Sequence, residues 1–154
     1  MFGLDSHQII SFDPISRQTI RRFGGWGTGN GQFNSPQSLC VDHLNRIVVC
    51  DTFNDRIQMF DEKGNHLLSF GSRGSEDGQF DQPQRVAVDH HNNILVSEWG
   101  NHRIQFFDPQ GKWISSFGSR ERKKGQFNCP QGITVDHLNR IIVCDVNNNR
   151  VQIF

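Results

Sequence analysis

The sequence carries no excess of either charge: 16 Lys and Arg balance 16 Asp and Glu, for a formal net charge of +0 at pH 7. Binding to a polyanion through bulk charge is thereby excluded, and any nucleic-acid contact must come from cations gathered on one face. Cysteine is sparse. Cys40, Cys50, Cys129 and Cys144 include no C-x-x-C pair, so the spacing of a zinc ribbon or a thioredoxin-type redox motif is absent. Three of the four fall in or beside strand-like runs, where a reduced thiol acts as a small hydrophobe, as expected of a cytoplasmic protein. No apolar run reaches the length of a membrane-spanning helix, and the N-terminal residues lack the apolar segment of a secretory signal. Helical spacing is missing too. No stretch sustains apolar residues at i, i+3, i+4 and i+7 for three turns, which argues against helices.

What is present is a period. Val41, Val88 and Val135 lie 47 residues apart, GQF recurs at 31–33, 78–80 and 125–127, and Pro-Gln at 36–37, 83–84 and 130–131. Superposing 25–60, 72–107 and 119–154 without a gap gives 15 identical columns of 36. A fixed period in this range marks a repeat architecture, in which each unit needs neighbours to bury its faces. Within the middle unit, 85–89, 94–98, 103–108 and 113–118 are rich in β-branched and aromatic residues, with turn signals at 90–93, 99–101 and 109–112. Four antiparallel strands per period describe one β-propeller blade. The boundaries follow: 1–24 holds the last strands of a preceding blade, 25–71 and 72–118 are whole repeats, and 119–154 is a repeat lacking its outer strand. With 7–12 and 20–24 as two strands, the all-β chain supplies about three and a quarter blades. Closed propellers need roughly four to eight. The expected partners therefore include the remaining blades of a larger ring, or a second copy associating through exposed apolar ends.

The unit G-x-G-x-G-Q-F-x-x-P…V-D-x-x-x-x-I-x-V-x-D-x-x-N-x-R-I-Q-x-F resembles the NHL repeat, and Asn101-His102-Arg103-Ile104 is the copy nearest to its signature. With GTGNGQF at 27–33 and NNNRVQIF at the end, the chain resembles the C-terminal half of the six-bladed NHL domain of TRIM-NHL proteins, the Brat-like developmental regulators. The resemblance implies a top face that binds RNA, as single strands or small hairpins, in post-transcriptional repression of mRNA, or that binds proteins in other members. It also implies that any ubiquitin-ligase activity resides in an upstream RING absent from these residues.

Repetition separates building parts from site candidates. Arg56, Arg103 and Arg150 each follow an acid by five residues (Asp51, Glu98, Asp145), which suits an ion pair bridging a turn. His43, His90 and His137 sit in equivalent turns of separate blades with no second ligand at i+2 or i+4, so they read as turn residues and no metal is expected. GWGTGNG at 25–31 lacks the following helix of a phosphate-binding loop and reads as an inter-blade loop. Phe53, an aromatic at a solvated turn, reads as packing on its neighbour blade, with a face offered to a ligand as the alternative. Positions that break the pattern on the top face are the candidates. Gln84 and Arg85 begin an inner strand beside the central channel, in a column reading Ser38, Arg85, Gly132, and could read base edges. Trp99 occupies a top turn and could stack an unpaired base. Arg73 and the run Arg120, Arg122, Lys123, Lys124, opposed by Glu121 alone, could neutralise phosphates. No nucleophile–base pair or acid dyad converges, so neither an enzyme nor a cofactor is expected. The alternative is a protein-interaction scaffold that binds no RNA.

Overall fold

The computed structural model describes residues 2–154, which form fourteen strands and two short 3-10 turns. An N-terminal sheet joins β1 (Phe2–Asp5), β2 (Gln8–Phe12) and β3 (Thr19–Gly24). The second sheet orders β4 (Pro36–Val41), β5 (Ile47–Asp51), β6 (Arg56–Phe60) and β7 (His66–Phe70). The third orders β8 (Pro83–Val88), β9 (Ile94–Glu98), β10 (Arg103–Phe107) and β11 (Trp113–Phe117). The fourth has β12 (Pro130–Val135), β13 (Ile141–Asp145) and β14 (Arg150–Ile153). All pairings are antiparallel between chain neighbours. The molecule is an all-β partial propeller. The strand count exceeds the sequence reading by one, because Phe2–Asp5 pairs with β2. The N-terminal piece thus holds three strands rather than two.

The repeated residues build the same details each time. Each inner strand opens on a proline (Pro36, Pro83, Pro130) and its register shifts directly after it, as expected where the chain has no N–H to give the ladder. The strand β5 is buried along its length, because successive side chains point to opposite faces and a blade covers each one. Ile47 and Val49 join Ile9, Phe33 and Phe60 on one side. Val48 and Cys50 join Ile57, Met59, Phe80, Val86 and Phe107 on the other. The phenylalanines of the three GQF motifs, Phe33, Phe80 and Phe127, are fully buried between blades. Each lies against a positive-φ glycine that ends the preceding outer strand (Gly24, Gly71, Gly118), where a Cβ would strike the ring.

On the bottom face, the Asn92 side chain accepts the His43 N–H at 2.9 Å and Asn139 accepts the His90 N–H at 3.0 Å. The histidine turns are therefore blade-to-blade ties made through backbone.

The fourth sheet presents the face that its predecessors bury. Ile57 and Ile104 are fully buried, whereas Val151 in the same column is 59% exposed, and Ile153 is 52% exposed where Met59 is buried. A chain of these residues is expected to self-associate through that face. Light scattering after size exclusion should show oligomers that Val151→Lys with Ile153→Lys disperses. A monodisperse wild-type monomer would contradict this.

Candidate nucleic-acid interface

Three inter-blade loops and three strand-to-strand turns share one end of the sheets, and hydrogen bonds stitch them together. Phe53 donates its N–H to the Asn34 carbonyl at 3.1 Å, Trp99 to Gln82 at 3.2 Å and Asn147 to Asn128 at 3.1 Å. The side-chain amides of Asn54, Asn101 and Asn148 reach the carbonyls of Gly27, Gly74 and Glu121, each at 2.9 Å.

The main clamp is the arginine that opens each third strand. Arg56, Arg103 and Arg150 bond Asp51, Glu98 and Asp145 through Nε at 2.7 Å, which is the turn-bridging pair. Their remaining nitrogens go further than sequence spacing suggests. Arg56 donates to the carbonyls of Thr28, Gly29 and Gln32. Arg103 donates to Glu76 and Gln79, and Arg150 to Arg122, Lys123 and Gln126. One guanidinium thus fixes a whole loop on a buried carboxylate. The carboxylates respond to their surroundings. Burial pushes Glu98 above its ordinary value. For Asp145, in the uncovered fourth sheet, burial is again the largest influence, but hydrogen bonds from Asn128, Asn148 and Arg150 together outweigh it and hold the carboxyl low.

On this frame the candidate residues divide. Arg120, Arg122, Lys123 and Lys124 are all exposed on one loop. Lys123 pairs with Glu121 at 3.0 Å, whereas Arg120, Arg122 and Lys124 have no acidic partner among the described residues. Arg120 lies near His102, and burial together with that cation holds the imidazole below its ordinary 6.5. The neutral Nδ1 of His102 accepts the Cys129 N–H at 3.0 Å across the blade junction. Arg73 is exposed and lines a shallow recess of about 210 Å³ with Gly74, Ser75, Asp81 and Asn101. Trp99 is 40% exposed on its turn. Gln84 and Arg85 are half-buried on β8. Arg85 is tied down: its Nη1 donates to the carbonyls of Gln37, in the neighbouring inner strand, and Gln84, both at 2.9 Å. Its Nη2 has no protein partner among the described residues. No hydrogen bond or ion pair joins the Gln84–Arg85 pair to the basic loop, so these are separate parts of one face.

The sequence reading passes over two features. His7, Asp55 and His102 occupy one column, and each accepts a backbone N–H from the next blade, from Ser35, Gln82 and Cys129. The change of residue type from His to Asp and back conceals that shared role. Trp26, absorbed into the glycine-rich loop, is 72% exposed. Its column reads Trp26, Arg73, Arg120, and that break in the repeat is a signal the sequence did contain.

Comparison with known proteins decides the nature of the repeat. A profile of the NHL repeat matches residues 80–107 and 127–154. The chain carries NHL repeats. Its NHL region is similar to Protein lin-41 of Caenorhabditis elegans, 41% identical over 65 residues, which are 42% of this chain and 6% of that protein. The B-box type zinc finger protein ncl-1 of the same organism is 37% identical over 70 residues, 40% of this chain and 8% of the relative. Protein brain tumor of Drosophila melanogaster is 46% identical over 43 residues, 28% of this chain and 4% of the relative. The aligned stretches span less than a tenth of each relative. Among solved structures, the virginiamycin B lyase of Staphylococcus aureus superposes with a TM-score of 0.68 at 13% identity, over 97% of this chain and 48% of the other. A streptogramin B lyase gives 0.69 at 14%, with the same coverage. At that identity the likeness concerns the fold alone. The resemblance to the NHL repeats of TRIM-NHL proteins is thus borne out for the repeats and their β-propeller fold. No helix among the described residues is long and apolar enough to cross a membrane, which leaves β-barrels untouched.

Proposed function

We propose that the NHL top face binds single-stranded RNA or a small hairpin, as a cytoplasmic module of post-transcriptional mRNA repression within a longer TRIM-NHL-type protein. In that protein any ubiquitin-ligase activity belongs to a RING outside these residues. The observation that carries the reading is the loop after β11. It displays three unpaired cations, Arg120, Arg122 and Lys124, while Arg150 holds its backbone on buried Asp145. Because the frame is already ordered, phosphate contacts here incur little loop-ordering entropy. Arg73 extends the cationic positions to the preceding loop. Arg85 and Gln84 offer hydrogen-bonding groups to base edges, and Trp99 a stacking face.

Fluorescence anisotropy with short single strands and hairpins tests this. Arg120→Ala, Arg122→Ala and Lys124→Ala combined should reduce the slope of log K against log salt by about 2 and weaken low-salt binding at least about tenfold. Binding indifferent to salt would contradict the proposal. A second reading, a protein-interaction scaffold, draws on the middle loop, where Glu76, Asp77 and Asp81 outnumber Arg73. It calls for no anisotropy change with any RNA at low salt.

A further inference from the structure

Trp26 and Phe53 are the two most exposed aromatic side chains on the top face, at 72% and 56%. Neither is required by blade construction. The bridge that Trp26 makes with Phe33 is made identically by Arg73 with Phe80 and by Arg120 with Phe127, so an arginine serves the backbone equally well. In the Phe53 column the other blades carry Gly100 and Asn147. A single exposed apolar residue needs no explanation. Two large rings on adjoining loops do, particularly where the repeat elsewhere places polar or small residues.

The loops that carry them are rigid. Gly27 donates to the Phe33 carbonyl at 3.1 Å and Phe33 to Gly25 at 2.8 Å, closing the Trp26 loop. The Phe53 N–H is bound to Asn34, and Asn54 donates to Gly27, the residue next to Trp26. Arg56 then locks three carbonyls of the same loop. Both rings are therefore presented on one stitched frame. Among the described residues, neither has a ring partner and the Trp26 indole has no hydrogen-bond acceptor. Followed along the chain, the face changes from aromatic to cationic: Trp26 and Phe53, then Arg73 and Trp99, then Arg120 and its neighbours.

We infer that Trp26 and Phe53 form a base-stacking subsite for unpaired nucleobases, at the opposite end of the top face from the phosphate-neutralising loop. This rests on the RNA-binding reading and deepens it. A nucleic acid crossing the face has its charge met at one end and its bases stacked at the other. The subsite favours single strands, because a base held in a duplex cannot offer its face to a ring. Stacking is tolerant of sequence, so the subsite adds affinity for any unpaired base.

The experiment compares wild type, Trp26→Ala, Phe53→Ala and Trp26→Phe. The probes are a labelled oligouridine and a strand of equal length with abasic ribose in place of every base. Trp26→Ala and Phe53→Ala should each weaken oligouridine binding by about 5- to 100-fold. They should leave the abasic strand and the salt slope unchanged, since no phosphate contact is lost. Trp26→Phe should retain most of the affinity. Thermal unfolding should not move, given the exposure of both rings. If wild type binds oligouridine and Trp26→Ala binds it equally well, the inference is overturned while RNA binding stands, and the rings belong to a protein-facing surface. Equal weakening on both strands also overturns it. If wild type binds neither strand, both readings fall.

Discussion

Arg103→Ala should destabilise the protein by about 3–5 kcal/mol, the cost of leaving a buried charge without its partner. The size follows from the surroundings of Glu98, which is fully buried. Its carboxylate accepts from Arg103 at 2.7 Å, Asn101 at 2.7 Å, Gln105 at 2.8 Å and the Asp81 N–H at 3.1 Å. Urea unfolding would measure the loss. A control separates a local ion pair from a clamp. An isolated buried pair can often be replaced by apolar residues without loss, so Glu98→Leu with Arg103→Met would then restore stability. Here it should not. The Glu76 carbonyl would lose Arg103 and the Asp81 amide would lose Glu98, the Gln79 carbonyl would keep only Gln105, and unsatisfied buried groups cost about 1–3 kcal/mol each. Full recovery in the double variant would reduce the arginine to a turn-bridging role.

The same variant has a signature in pH. Burial already raises the Glu98 carboxyl in the wild type, and removing the guanidinium raises it further. A folded-state value above the unfolded 4.5 favours the protonated form in the fold. Its stability contribution is therefore greatest in acid and is lost as pH rises through the folded value. The deficit of Arg103→Ala relative to wild type should accordingly shrink toward acid pH.

These contacts also mark how far the sequence could be read. The architecture was legible because a blade depends on local alternation and a fixed period, both written in the residues. Ile94–Glu98 was placed to the residue. Phe2–Asp5 was missed because FGLD has no β-branched residue, and it is a strand through its pairing with β2. The candidate site was legible only as columns that fail to repeat. That logic isolates Arg85, Trp99 and the basic loop. It cannot reveal that Arg85 is bound to a carbonyl 48 residues away. Partners at such separation are set by how blades dock, and docking brings together positions that no local pattern connects. The arginine clamp shows the same limit in another form. The spacing of Arg150 from Asp145 was visible, but its grip on carbonyls 24–28 residues upstream was not.

Phe80→Ala should cost about 3–5 kcal/mol, and it should also loosen the top face. Phe80 is fully buried, with ring centroids 5.5 Å from Phe107 and 6.5 Å from Phe70, and Phe70 lies 4.9 Å from Phe107. This aromatic cluster spans the junction of the second and third sheets, and Gly71 is bare so that the Phe80 ring can pass over it. The ring also anchors a loop. The Phe80 N–H bonds Ser72 at 2.8 Å and its carbonyl receives Gly74 at 2.9 Å, closing the segment that bears Arg73. Removing the ring leaves a cavity between blades and frees that segment together. Phe80→Leu refills most of the volume and should recover most of the stability. Amide exchange distinguishes the two effects. In Phe80→Ala the amides of Gly74 and Gln79 should lose protection beyond the global loss, whereas in Phe80→Leu they should follow global stability. A uniform change in both variants would mean that the loop is held by Arg103 alone and that the phenylalanine serves packing only.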